Sequence, residues 1–234
     1  MTRLLGGPQL SGHLFGEGRL GVRSTTADCA LAAVRLGPVG RCPDVPVLLI
    51  TTTDNSGSVV SVGGNDPCSN RFKEMRLAIE AVARRCKCGE ELVAMLNFDS
   101  PNSGDVLPTH LAGGVAKLER GLEIPRDGGG CSLLGPSLAQ ARRIADRYPD
   151  HHVVCIVLSD FELFDGDVAG VLQAFAEFPG QPHAVVLRST APQVLLDDPR
   201  VIVTPVSPTD PVGAVAKAVF TALTATRRVR SIRR

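Results

Sequence analysis

Apolar runs of strand length alternate with amphipathic segments of helical period from residue 45 almost to the carboxyl terminus. VPVLLI (45–50) is continuous rather than alternating, as in a strand buried on both faces. NRFKEMRLAIEAVARRC (70–86) sets Phe72, Met75, Leu77, Ile79, Val82 and Ala83 near helical spacing, with Arg and Glu between them, and predicts an amphipathic helix. ELVAMLNF (91–98), HHVVCIVLS (151–159), HAVVLRS (183–189) and RVIVTPV (200–206) predict further strands. Helices are predicted over 107–123, despite glycines in its middle, and over 134–148, where Pro136 suits the first turn. Two more are predicted over 167–178 and 210–226, the last with Asp210 as N-cap and Pro211 at the first helical position.

Strands that alternate with helices predict an α/β fold: a doubly wound, mostly parallel sheet with helices on both faces. Ligands of such folds sit at the carboxyl ends of the strands. Residues 45–226 form this domain, with the 46–53 strand central in the sheet. Residues 1–44 are rich in Gly and Pro and read as an extension packed on the core, with the apolar patch CALAAVRL (29–36) as a flanking strand. Residues 227–234 read as a basic tail.

Composition narrows the function classes. The balance of 25 basic and 24 acidic residues argues against nucleic-acid binding by the whole domain. One Tyr and no Trp leave little for base stacking. No apolar run spans a bilayer, and no signal-peptide core is evident near the start. Seven cysteines without framework spacing point to a reducing, cytoplasmic compartment.

The candidate chemistry follows the first strand. Asp54, Ser56 and Ser58 alternate along an extended segment and so can point the same way. One carboxylate with two hydroxyls suits a hard cation, Mg²⁺ or Mn²⁺, rather than zinc. Taken alone, the segment also reads as a strand-ending turn, since Asp, Asn, Ser and Gly all favour turns.

DNSGS (54–58) resembles the D-x-S-x-S motif of von Willebrand factor A (VWA) domains, whose metal ion-dependent adhesion site (MIDAS) caps such a sheet. Two further segments carry the resemblance. GGGCSLLGPSL (128–138) is similar to the family's GGT segment and places Ser132 at the Thr position, while VVCIVLSD (153–160) places Asp160 as the second carboxylate. The resemblance implies a metal site of Asp54, Ser56, Ser58, Ser132 and Asp160 that holds Mg²⁺ or Mn²⁺. It also implies a protein-interaction module whose partner supplies an Asp or Glu to the metal, within an intracellular assembly such as that of an AAA+ ATPase. The sequence departs from the family at Ser132, which loses the β-branch of Thr, and at Phe161, where the family usually has Gly. Asp165-Gly166 is a competing match for the second carboxylate, five residues past the strand end.

An enzyme is the alternative class: a metal-dependent hydrolase acting on a phosphoester. No G-x-S-x-G, H-E-x-x-H, P-loop or G-x-G-x-x-G motif supports it. Other clusters read more simply as structure. The C-x-C of Cys86 and Cys88 reads as helix-end thiols, and Cys155 as a small buried hydrophobe. FDSPNSGD (98–105) reads as a polar loop, or as a rim beside the metal, and Asp167 as a helix cap. The terminal RRVRSIRR reads as a solvated tail, with a contact to nucleic acid or an acidic partner as its alternative.

Overall fold

The computed structural model describes residues 33–66, 70–127, 130 and 132–227. The first apolar run forms β1 (Val47–Thr53), with all seven residues buried. A short helix α1 (Gly57–Val60) and the long helix α2 (Asn70–Ala83) follow. Then come β2 (Leu92–Asn97), β3 (Val106–His110) and a 3₁₀ helix over Val115–Leu122. The remaining elements are α3 (Gly135–Ala145), β4 (His152–Ser159), α4 (Val168–Ala176), β5 (Gln181–Leu187), α5 (Gln193–Asp197), β6 (Ile202–Val206) and α6 (Ala214–Thr224).

The strands form one six-stranded sheet in the order β3-β2-β1-β4-β5-β6, parallel except for β3. This is the expected doubly wound α/β architecture with β1 central. Alternate side chains of each strand enter opposite cores, as the two-residue period requires. Val47, Leu49, Val93, Met95, Ile156 and Val185 pack with α2, α6 and the 3₁₀ helix. Leu48, Ile50, Ala94, Leu96, Val157 and Val186 pack with α3, α4 and α5. Because both faces are covered, β1 has no polar alternation to show.

Three expectations need correction. The segment 107–123 is not one helix but an antiparallel edge strand followed by a 3₁₀ helix. Pro108 cannot donate to a ladder and falls where the register shifts opposite Ala94, a bulge on an edge. A Cβ at Gly114 would lie 1.9 Å from the His110 carbonyl oxygen, so the chain turns there only because the residue is glycine. The last helix begins later than expected, at Ala214, with Gly213 (φ 111°) as its N-cap. Asp210 instead accepts the Ser207 N–H (2.6 Å) within the preceding turn. Of the 29–36 patch, residues 33–36 are described and form no strand; the others lie outside the described residues. Leu36, Val39 and Cys42 pack on the core beneath α2 and α6.

Chain direction across the sheet reverses between β1 and β4. From β1 the chain steps to β2 and β3 on one side, then returns to place β4 on the other. The helices leaving the two strands diverge there and open a crevice at the carboxyl ends. Asp54 follows β1 and Asp160 follows β4, so both stand at that crevice.

Candidate metal centre

β1 and β4 run parallel with Thr53 opposite Leu158, and the Asp54 N–H continues the ladder to the Leu158 carbonyl (2.9 Å). Asp54 and Asp160 are therefore neighbours by strand register, and both are buried. The Asp54 carboxylate accepts the Ser56 N–H on Oδ1 (2.8 Å) and the Ser159 hydroxyl on Oδ2 (2.6 Å). The first bond folds the chain into a tight turn that leads into α1. That turn sets the Ser56 and Ser58 hydroxyl oxygens 3.0 Å apart. Asp160 accepts the Asn65 side-chain amide on Oδ2 (2.9 Å) and the Glu162 N–H on Oδ1 (3.1 Å).

All four of these donors are neutral, which matters for charge. Burial pushes the Asp54 carboxyl above the ordinary aspartate range; bonds from Ser159 and Ser56 oppose this, and the negative charge of Asp160 adds to it. Two buried carboxylates held by neutral donors form a site short of positive charge. The nearby cation, Arg71, does not meet this need. Its fully buried guanidinium bonds the Asp54 carbonyl oxygen (3.0 Å), Asn55 Oδ1 (2.5 Å) and Asp66 Oδ2 (2.7 Å). Asn55 Nδ2 in turn donates to Asn97 Oδ1 (2.7 Å). This polar layer fixes the backbone beneath the carboxylates without donating to either of them, and each of their four oxygens accepts one of the neutral bonds above.

Ser132 is buried in the loop ahead of α3. Its carbonyl accepts the Phe164 N–H (3.0 Å), and the adjoining Gly130 N–H reaches the Asn55 carbonyl (3.4 Å), so this loop is pinned to the segments that carry Asp54 and Asp160. The competing carboxylate, Asp165, is engaged elsewhere: it accepts the N–H groups of Leu134 (2.9 Å) and Gly135 (2.8 Å) at the start of α3. Asp167 caps α4 as expected, accepting the Gly170 N–H (2.9 Å). In the 98–105 loop, Asp105 accepts the Asn97 N–H, the Ser100 hydroxyl and the Asn102 N–H, so its role there is internal.

No protein-family model and no curated protein sequence matches the chain. Solved structures do. The chain is similar to a von Willebrand factor type A protein from Catenulispora acidiphila (TM-score 0.53, 18% identity), covering 77% of this chain and 43% of that one. It is also similar to the pilus adhesin SpaC from Lactobacillus rhamnosus GG in its open conformation (TM-score 0.60, 12% identity, 80% and 30% coverage). A third likeness is to proximal thread matrix protein 1 of the mussel byssus with a zinc-occupied MIDAS motif (TM-score 0.50, 16% identity, 78% and 49% coverage). The fold is that of a VWA domain. The chain spans less than half the length of each of these three proteins.

Within the VWA fold, one departure now has a physical description. Phe161 adopts φ 60°, the left-handed region that glycine enters without cost. Its ring is buried against the α3–α4 side of the core, which offsets that strain. Three site contributors carried no clear sequence signal. Ser159 was legible only as the Ser of a strand-ending Ser-Asp pair. Nothing in the sequence singles out Asn65, and Arg71 reads as one more charge on an amphipathic helix.

Proposed function

We propose that this VWA-fold chain is a protein-interaction module that binds its partner through a divalent cation. Asp54, Ser56, Ser58, Ser132 and Asp160 would hold the ion. The observation that carries this reading is the pair of buried carboxylates at the β1–β4 switch point, held only by neutral donors beside two hydroxyls. An all-oxygen donor set fits Mg²⁺ or Mn²⁺. The bound ion would supply a positive centre with an exchangeable position, which suits an Asp or Glu of a partner protein. That one structural relative has a metal-occupied MIDAS and another is an adhesin supports the reading. Among the described residues no helix is long and apolar enough to cross a membrane.

Exposed apolar side chains stand on the chain segments that carry the candidate ligands. Phe164 (78% exposed) follows Asp160 on the segment bonded to Ser132, and Val62 is fully exposed between Ser58 and Asn65. An exposed aromatic beside a metal-bridged carboxylate is the kind of anchor that carries interface energy. The test is capture of partners from native cells in Mg²⁺ and in chelator, with wild type and Asp54→Ala. A partner retained by wild type in Mg²⁺ and lost in both other conditions supports the proposal. A partner that binds equally in chelator overturns it.

A further inference from the structure

A second group of ligand-type side chains lies at the opposite, amino-terminal end of the sheet. Cys42 precedes β1, Cys86 and Cys88 follow α2, and Glu91 immediately precedes β2. Their three sulfurs and a Glu91 carboxylate oxygen lie within 4.8 Å of one another, although Cys42 is more than forty residues away in sequence. The sequence alone presents only a C-x-C pair, which reads as helix-end thiols. The fold adds the third sulfur and the carboxylate.

We infer that Cys42, Cys86, Cys88 and Glu91 form a structural site for a tetrahedral, thiolate-preferring dication of the Zn²⁺ class. Sulfurs around tetrahedral zinc stand about 3.8 Å apart, given Zn–S bonds of about 2.3 Å. The Cys86 and Cys88 sulfurs are already 3.5 Å apart. That pair widens slightly and the more distant sulfurs, at most 4.8 Å apart, close by about 1 Å to reach that geometry. Among the described residues none of these thiols is in a disulfide.

The surroundings suit bound thiolates. The Lys87 N–H points at Cys42 Sγ (3.4 Å), from a turn that Gly89 closes with φ 76°. Glu91 is fully buried and paired with the buried Arg227 through Nε (3.2 Å) and Nη2. Three thiolates and a carboxylate carry four negative charges, which a dication only half neutralises. Arg227 offsets one of the remaining charges and orients the carboxylate from its outer side. The site would tie the segment before β1, the end of α2, the start of β2 and the chain after α6 into one joint.

Titration of the reduced full-length protein with Co²⁺, a spectroscopic stand-in for Zn²⁺, tests this. The expected result is a near-ultraviolet sulfur-to-metal charge-transfer band and the visible spectrum of a tetrahedral ion that saturate at one equivalent, both displaced by Zn²⁺. Cys42→Ser/Cys88→Ser should lose the band. Cys88→Ser alone, at an exposed position that folding tolerates, should weaken binding tenfold or more. Asp54→Asn should keep the band, because an oxygen site gives no sulfur charge transfer. Absence of the band from reduced protein overturns the inference, as does a band unchanged in the double variant. A disulfide among the three cysteines in freshly purified protein, with no metal uptake after reduction, overturns it as well.

Discussion

Asp54 sits where burial and a like charge both oppose its ionised form, and the fold holds it there with a hydroxyl and a backbone amide. Removing that charge should relieve the metal-free protein. Asp54→Asn keeps an oxygen for the Ser56 N–H, so its melting temperature in chelator should equal or exceed wild type. Wild type with Mg²⁺ at a hundredfold excess over its dissociation constant should gain about 2.7 kcal/mol, or roughly 5–10 °C for a chain of this size. The variant should gain nothing, and an equal shift in both proteins would place Mg²⁺ elsewhere. Ser132→Thr should bind the cation at least as tightly, since the β-branch restricts the hydroxyl's rotamers; calorimetric titration of both proteins checks this. Phe164→Ala should leave metal affinity unchanged while weakening partner binding by about 1–2 kcal/mol, as for a moderate interface anchor. Asp54, Ser56, Ser58 and Asp160 stand out as candidate ligands because oxygen-bearing residues follow strongly apolar strands, whereas Ser132, in the loop ahead of α3, stands out only through the resemblance of its segment to the family's GGT. Ser159, Asn65 and Arg71 do not stand out, because their roles depend on which loop the fold brings alongside, and no local pattern encodes that.

Elements were legible where one period dominates. β1, β2, β4 and β5 are short apolar runs, and α2 carries an unbroken apolar stripe, so their places follow from the sequence. The 107–123 segment misleads because its apolar residues suit a helix while Pro108, Gly113 and Gly114 carry the contrary information. The edge strand β3 wins because pairing with β2 satisfies its backbone, and the 3₁₀ helix then seats Gly121 against Met95, where a Cβ would lie 2.7 Å from the Met95 Cβ. Gly114→Ala therefore tests the turn between them: the clash with the His110 carbonyl should cost about 2 kcal/mol or more, read as a lower urea midpoint. The late start of α6 has a similar origin. Asp210 and Pro211 look like a cap and first turn, but Asp210 is used by the Ser207 turn, and Gly213 begins the helix where a Cβ would meet Val34 (2.8 Å). The C-x-C pair is two free thiols just past α2, as the sequence suggests, and its nearness to Cys42 is not visible in the sequence because Cys42 lies ahead of β1.

On the scale of the whole molecule, the sheet separates two ends with different chemistry: an oxygen-lined crevice at the carboxyl ends of β1 and β4, and a sulfur-lined joint at the amino ends of β1 and β2. Between them the sheet contains a buried titrating group that links stability to pH. His183 on β5 bonds Thr204 of β6 (2.8 Å), and burial lowers its pKa from 6.5 to about 4. The folded value lies below the unfolded one, so above about pH 6.5 this residue costs nothing. As pH falls from about 6.5 to about 4, the unfolded chain takes up the proton first and stability drops, by roughly 3–4 kcal/mol in full. Unfolding free energies of wild type and His183→Gln across that range should converge as pH falls; parallel curves would contradict the assignment. The central claim concerns the other end of the sheet, and calorimetric titration with Mn²⁺, an ion that prefers oxygen to sulfur, tests it most directly. The account predicts one Mn²⁺ per chain for wild type, undiminished binding in Cys42→Ser/Cys88→Ser, and none in Asp54→Asn or Asp160→Asn. Binding that survives both Asp substitutions would contradict it.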